Sequence, residues 1–192
     1  MATNKNKTRY VILGLLNEED LSGYEIKRII DLRLSFFWNE SFGQIYPELK
    51  RLTLEGLIVA SDQTSNSGKE SKKYSITNQG RQELQEWLKV PVETELIRYE
   101  ILLKLYFSNA STSSSMINHI KEFEINHRKQ RELFQKFETQ LKQNIDVHSN
   151  HRQILMVLAF GQQVWDTYAQ WCEETVQSLE LISTEHSETD HG

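Results

Sequence analysis

The chain has 192 residues, of which 38% are hydrophobic and 26% charged, with only 8 Gly and 2 Pro. That is enough chain for one large or two small cores, and the composition excludes a collagen, a proline-rich linker and a fully disordered polypeptide. The net charge of −5 is unevenly placed: residues 1–90 hold 13 bases against 12 acids, residues 91–192 hold 9 against 15, so the total does not exclude nucleic-acid binding by the first half.

Residues 1–7 are polar, and the apolar run Tyr10–Leu16 is too short for a signal segment before Glu18-Glu19-Asp20. Thr8–Leu16 reads as a short helix that can bury Val11, Ile12, Leu15 and Leu16. Ser22 followed by Glu25 is a capping box, opening a helix to about Leu34. Phe36-Phe37-Trp38 is an aromatic cluster, with Trp38 expected in the core, before a second start signal at Ser41. Over residues 41–56, Ile45, Leu49, Leu52 and Leu54 offer an apolar stripe, and Gly56 suits a left-handed C-cap. Pro47 places the regular helix start near Gly43–Gln44, or else a bend.

The period then changes. Leu57–Ala60 and Lys73–Ile76 are short β-prone runs around the turn material Ser65-Asn66-Ser67-Gly68, which predicts a two-stranded hairpin. Thr77 caps a helix to about Leu88, with Leu84, Trp87 and Leu88 inward. Three helices followed by a hairpin form the layout of a winged helix-turn-helix.

Pro91 lies in a boundary, Val90–Glu95, beyond which the pattern is helical. Helices are expected over 96–107, 116–145 and 151–182, with a polar tail to residue 192. The expected fold is mainly α with a small β-hairpin: a winged helix-turn-helix over 1–90, a helical dimerisation and effector domain over 91–183, and the tail. A helix of roughly thirty residues is about 45 Å long. With a narrow apolar stripe it calls for a second chain to cover it. No stretch of about eighteen apolar residues predicts a membrane span.

A helix-turn-helix must point one helix at base edges in the major groove. Gln44 is the residue type that pairs with adenine through two hydrogen bonds. Tyr46 offers a hydroxyl to phosphate or a ring to a thymine methyl, and Lys50 and Arg51 suit phosphates. In the hairpin, Lys69, Lys72 and Lys73 suit backbone contact at a neighbouring minor groove.

The ordered run Tyr10–Leu16, Leu21-Ser22-Gly23-Tyr24-Glu25-Ile26, Phe37-Trp38, Gly43-Gln44-Ile45-Tyr46-Pro47-Glu48-Leu49-Lys50-Arg51-Leu52, Glu55-Gly56-Leu57-Ile58 and Tyr74-Ser75-Ile76-Thr77 with Gly80 resembles the PadR family of bacterial transcriptional regulators. The C-terminal half more loosely resembles the helical domain of the longer members, related to phenolic-acid-response repressors. The resemblance implies a homodimer on a pseudo-palindromic operator, with repression as the usual mode and a small effector for some members; the single cysteine fits a reducing, cytoplasmic setting. It also implies DNA contacts by Tyr24, Gln44, Tyr46 and Lys50 together with the hairpin lysines, although Tyr24 could equally be packed. Gly43 stands where some relatives have Ser, so a hydroxyl contact is missing there. The rival reading is a winged-helix adaptor that binds proteins and not DNA.

Trp165, Tyr168 and Trp171 are candidates to line an aromatic effector pocket, against the plainer reading of dimer-core packing. His148-x-x-His151 has metal-ligand spacing but no third ligand, so no metal is expected. Cys172 reads as a small buried hydrophobe. No P-loop, G-x-S-x-G or dinucleotide signature occurs, and no enzyme or cofactor is expected.

Overall fold

A computed structural model describes residues 7–64, 70–94, 97–143 and 150–189. The chain divides into two compact units, residues 1–93 and 94–192.

The first unit opens with α1 (Thr8–Leu16), the two-residue strand β1 (Leu21–Ser22) and α2 (Gly23–Ile29), which ends in a π-helical turn over Ile30–Leu34. Then come α3 (Phe42–Leu54), β2 (Ile58–Thr64), β3 (Glu70–Ile76) and α4 (Asn78–Lys89). The sheet has three antiparallel strands in the order β1-β3-β2, where the sequence predicts two. Leu21 pairs with Tyr74 and Ser22 with Lys73, so β1 ties the start of α2 to the hairpin.

Short-range side-chain chemistry sets the helix starts. Ser22 N donates to Glu25 Oε2 at 2.7 Å, and Glu25 N donates back to Ser22 Oγ at 3.3 Å. Ser41 N donates to Gln44 Oε1 at 2.9 Å, closing the same motif on α3. Thr77 Oγ1 accepts from Gly80 N at 3.1 Å. Gly56 has φ +72°. Around it Leu57 N donates to Leu52 O and Gly56 N to Thr53 O, the paired bonds that stop a helix at a left-handed residue.

Ile12, Leu13, Leu16, Ile26, Ile30, Ile45, Leu49, Leu52 and Ile58 form one buried core. Several expectations fail at its edges. Leu54 and Leu88 are exposed. Trp38 is half-buried and its indole N–H donates to the buried Glu40 at 2.8 Å, where Thr8 Oγ1 also donates at 2.9 Å. Pro47 lies in the second turn of α3, because the helix starts at Phe42 and not at Gly43–Gln44.

The second unit holds α5 (Glu100–Phe107), a 3-10 turn (Ala110–Thr112), α6 (Ser113–Gln143) and α7 (His151–Thr189). α5 starts later than expected. α7 runs through the first part of the expected tail, with no Gly or Pro there to stop it. Residues 190–192 lie outside the described residues. α6 and α7 pack antiparallel: Phe123 meets Trp171, and farther along Phe134 meets Trp165. Ion pairs Lys121–Glu180 at 3.7 Å and Arg131–Asp166 at 2.7 Å mark the same alignment. Among the described residues no helix is long and apolar enough to cross a membrane.

Candidate nucleic-acid interface

α3 buries Ile45, Leu49 and Leu52 and turns Gly43, Gln44, Tyr46, Pro47 and Lys50 outward. The buried stripe is completed by Glu48, which is only 1% exposed. Arg51 Nη1 donates to Glu48 Oε2 at 2.6 Å. Arg51 thus partners a buried carboxylate through one nitrogen while its side chain stays about half exposed.

Tyr46 is 49% exposed and its ring rests on Gly23. A Cβ at Gly23 would stand 2.7 Å from Tyr46 Cε1, so a glycine is needed for that seat. Tyr24, next along, is 64% exposed, which removes the reading that it is packed. Burial, and then the neighbouring Tyr46, push the Tyr74 phenol of β3 upward. The first turn of α2, Tyr46 and β3 thus meet along one flank of α3.

Gln44 lies on the other flank. At 3.6 residues per turn, residues 44 and 46 point about 160° apart. Its Oε1 also accepts from Ser41 Oγ at 2.8 Å. A paired contact to adenine uses both the oxygen and the nitrogen of the amide. That contact therefore competes with the cap, while the amide N–H₂ stays available.

Of the hairpin lysines, Lys72 is exposed and Lys73 half-buried, both on β3. Lys72 sits opposite Asp62, and Lys73 between Ser61 and Ser22. Lys69 lies outside the described residues. The hydrogen bond from Ser22 N, the Ser22 hydroxyl and the Lys73 charge hold the Glu25 carboxyl below its ordinary value against its partial burial. A carboxyl lowered in the fold contributes stability above its unfolded value, and loses it as pH falls through the folded one. The melting-temperature gap between wild type and Glu25→Gln should therefore narrow as pH is lowered from 6 to 3. A gap that stays constant would remove the charge from the cap's role.

Trp165, Tyr168 and Trp171 do not converge on one pocket. Trp165 is buried against Phe134, with ring centroids 4.8 Å apart. Tyr168 and Trp171 both pack on Phe123, and the Tyr168 hydroxyl meets that of Tyr99 at 2.7 Å. A cavity of about 100 Å³ beside Trp165 is bounded by Glu124, His127, Arg128 and Arg131. It is well below the roughly 300 Å³ at which small-molecule pockets begin. In the single chain these aromatics pack between α6 and α7, with Tyr168 also meeting Tyr99. His151 is buried and His148 lies outside the described residues. Among the described residues no three His, Cys, Asp or Glu cluster. Cys172 is buried, which pushes its thiol up to about 11.

Sequence reasoning overlooked Phe42, the first residue of α3. It is 43% exposed and stacked on Tyr46. Its only signal was its place directly after the N-cap Ser41.

The first unit is a winged helix-turn-helix, with α3 as the outward-facing helix and β2-β3 as the wing. Residues 12–86 match the model of the transcriptional regulator PadR-like family, and residues 97–180 match that of the virulence activator alpha C-terminal domain. Residues 12–86 thus form a PadR-like domain of the kind found in transcriptional regulators. Over 101 residues it is 43% identical to the negative transcriptional regulator PadR of Bacillus subtilis, covering 52% of this chain and 55% of that protein. The chain spans about half the length of the curated relatives it matches. The structure of Bacillus subtilis PadR in complex with operator DNA aligns with a TM-score of 0.76 at 28% identity, over 89% of this chain and 96% of that one. Bacillus subtilis PadR in complex with p-coumaric acid aligns at 0.68 and 26% identity, over 93% and 99%. These relatives are regulators and not enzymes.

Proposed function

We propose that this protein is a cytoplasmic repressor that binds a pseudo-palindromic operator as a homodimer. The observation that carries the reading is the flank of α3, where Tyr46 and Lys50 stand outward beside the exposed Tyr24 of α2, with Lys73 of β3 paired to Ser22 at the start of α2. α3 enters the major groove. Tyr46 and the amide N–H₂ of Gln44 address base edges, while Tyr24, Lys50, Lys72 and Lys73 address the backbone. Bacillus subtilis PadR, solved on operator DNA and named a negative transcriptional regulator, supports both the assignment and repression.

Dimerisation rests on the second unit. α6 is about 46 Å long and α7 about 58 Å. The packing of α5, α6 and α7 leaves Leu103, Phe107, Leu133, Met156, Phe160 and Leu181 exposed. A second copy covers such surface and sets two wings on two half-sites. Light scattering at micromolar concentration should give twice the 22.6 kDa chain mass; a monomer mass would overturn this arrangement.

Operator binding is tested by fluorescence anisotropy with DNA from upstream of its own gene and a scrambled duplex. Binding should prefer the former and weaken steeply with salt. Lys72→Ala with Lys73→Ala should weaken both duplexes alike and reduce the salt slope by about 2. Salt-independent binding would favour the adaptor reading instead. An aromatic acid is the effector class this reading adopts, because a relative was solved with p-coumaric acid. Adding that compound should release the operator.

A further inference from the structure

Phe42 opens α3 with a large apolar side chain held in water, 43% exposed. It does not hang free. Its ring lies nearly parallel to that of Tyr46 one turn later, with centroids 6.0 Å apart and planes at 24°. Tyr46 is in turn backed by Gly23, so the two rings form a supported ledge. Beside the ledge Gly43 leaves a gap: a Cβ there would touch only Ser41 Oγ, at 3.6 Å.

This ledge sits at the leading end of the helix that the proposed function sends into the major groove, and the inference rests on that reading. Phenylalanine can neither donate nor accept a hydrogen bond, so it cannot hold a phosphate. The one apolar feature on a base edge in the major groove is the C5-methyl group of thymine. An exposed aromatic at the helix tip, with an open approach beside it, matches that group and no other. We infer that Phe42, braced by Tyr46, reads a thymine methyl group in each half-site and is a specificity-determining residue of this chain.

The test starts from an operator duplex recovered by selection from random DNA. Each dT is then replaced singly by dU, which removes the methyl and keeps every polar group. For the wild-type dimer, one dT→dU position per half-site should weaken binding about three- to fivefold, the effect of one buried methyl. Phe42→Ala should bind the parent operator more weakly by a similar factor and be indifferent to dU at that position. Phe42→Leu, which keeps an apolar tip, should retain part of the sensitivity. Unchanged melting profiles of both variants verify folding. Two results overturn the inference: no dT→dU position that weakens wild type, or equal sensitivity in wild type and Phe42→Ala. Failure of the selection to yield any preferred duplex would overturn the operator reading itself, and is seen before any dU is introduced.

Discussion

Gly80→Ala should lower the stability of the winged helix by about 3 kcal/mol, although helix propensity alone favours the change by about 1 kcal/mol. Gly80 lies in the first turn of α4, where an alanine is ordinarily welcome. Here a Cβ would stand 2.2 Å from Leu57 O and 2.8 Å from Ile76 Cγ1. The first of these is backbone. Leu57 O cannot retreat, because it accepts from Thr77 N and Thr77 Oγ1, both at 3.0 Å. The clash is relieved only by lifting α4 off the strands, which breaks the Thr77 cap. For a domain of under about 100 residues the melting temperature should fall by on the order of 15 °C. Gly14→Ala supplies the control. Gly14 is inside α1, where an added Cβ meets nothing within 4 Å, and the exchange should stabilise by up to about 1 kcal/mol. Calorimetry on the two variants reads opposite signs. Similar shifts in both would show that packing against Leu57 does not govern Gly80.

Much of this unit was legible because its determinants are local. Ser22 with Glu25, Ser41 with Gln44, and Thr77 with Gly80 each act within one helical turn, so spacing reveals them. Gly56 declared its positive φ in the same way. What was hidden depends on distant partners. β1 is two residues long and exists because Leu21 and Ser22 find β3 some fifty residues later. Leu54 looked like the end of a stripe. By helical angle it lies opposite Ile45 and Leu49, and the stripe is closed by Glu48, whose burial is tolerable beside Arg51. The site was legible as a set of residue types and not as an arrangement. Gln44 reads by residue type as a base contact, and in the fold its oxygen also closes the cap of its own helix. Phe42 reads as one aromatic among several until its ring is seen outside the core, resting on Tyr46.

Phe134→Ala should open the C-terminal helices and leave the winged helix folded. Phe134 is buried and packs on Trp165, near where Gln162 Nε2 donates to Glu138 Oε2 at 2.7 Å. Deleting such a ring costs about 3–5 kcal/mol, from lost transfer and the cavity left behind. None of the buried residues of the winged-helix core belongs to α6 or α7, so the loss should stay within the second unit. Cys172 reports it without ambiguity. It is the only cysteine, lies in the core cluster with Met116, Ile120 and Leu179, and burial pushes its thiol up to about 11. At pH 7 only about one thiol in ten thousand is then ionised, so wild type should resist a thiol reagent. When labelling proceeds through transient opening, its rate follows the opening equilibrium. A loss of 3–5 kcal/mol therefore raises the labelling rate by roughly a hundredfold or more. The winged helix, followed through the Tyr10–Trp87 stack at 4.4 Å, should be unchanged at temperatures where Cys172 already reacts. An increase in labelling below tenfold would mean that the α6–α7 pairing is held elsewhere along its length. Simultaneous loss of both signals would mean that the two units unfold as one.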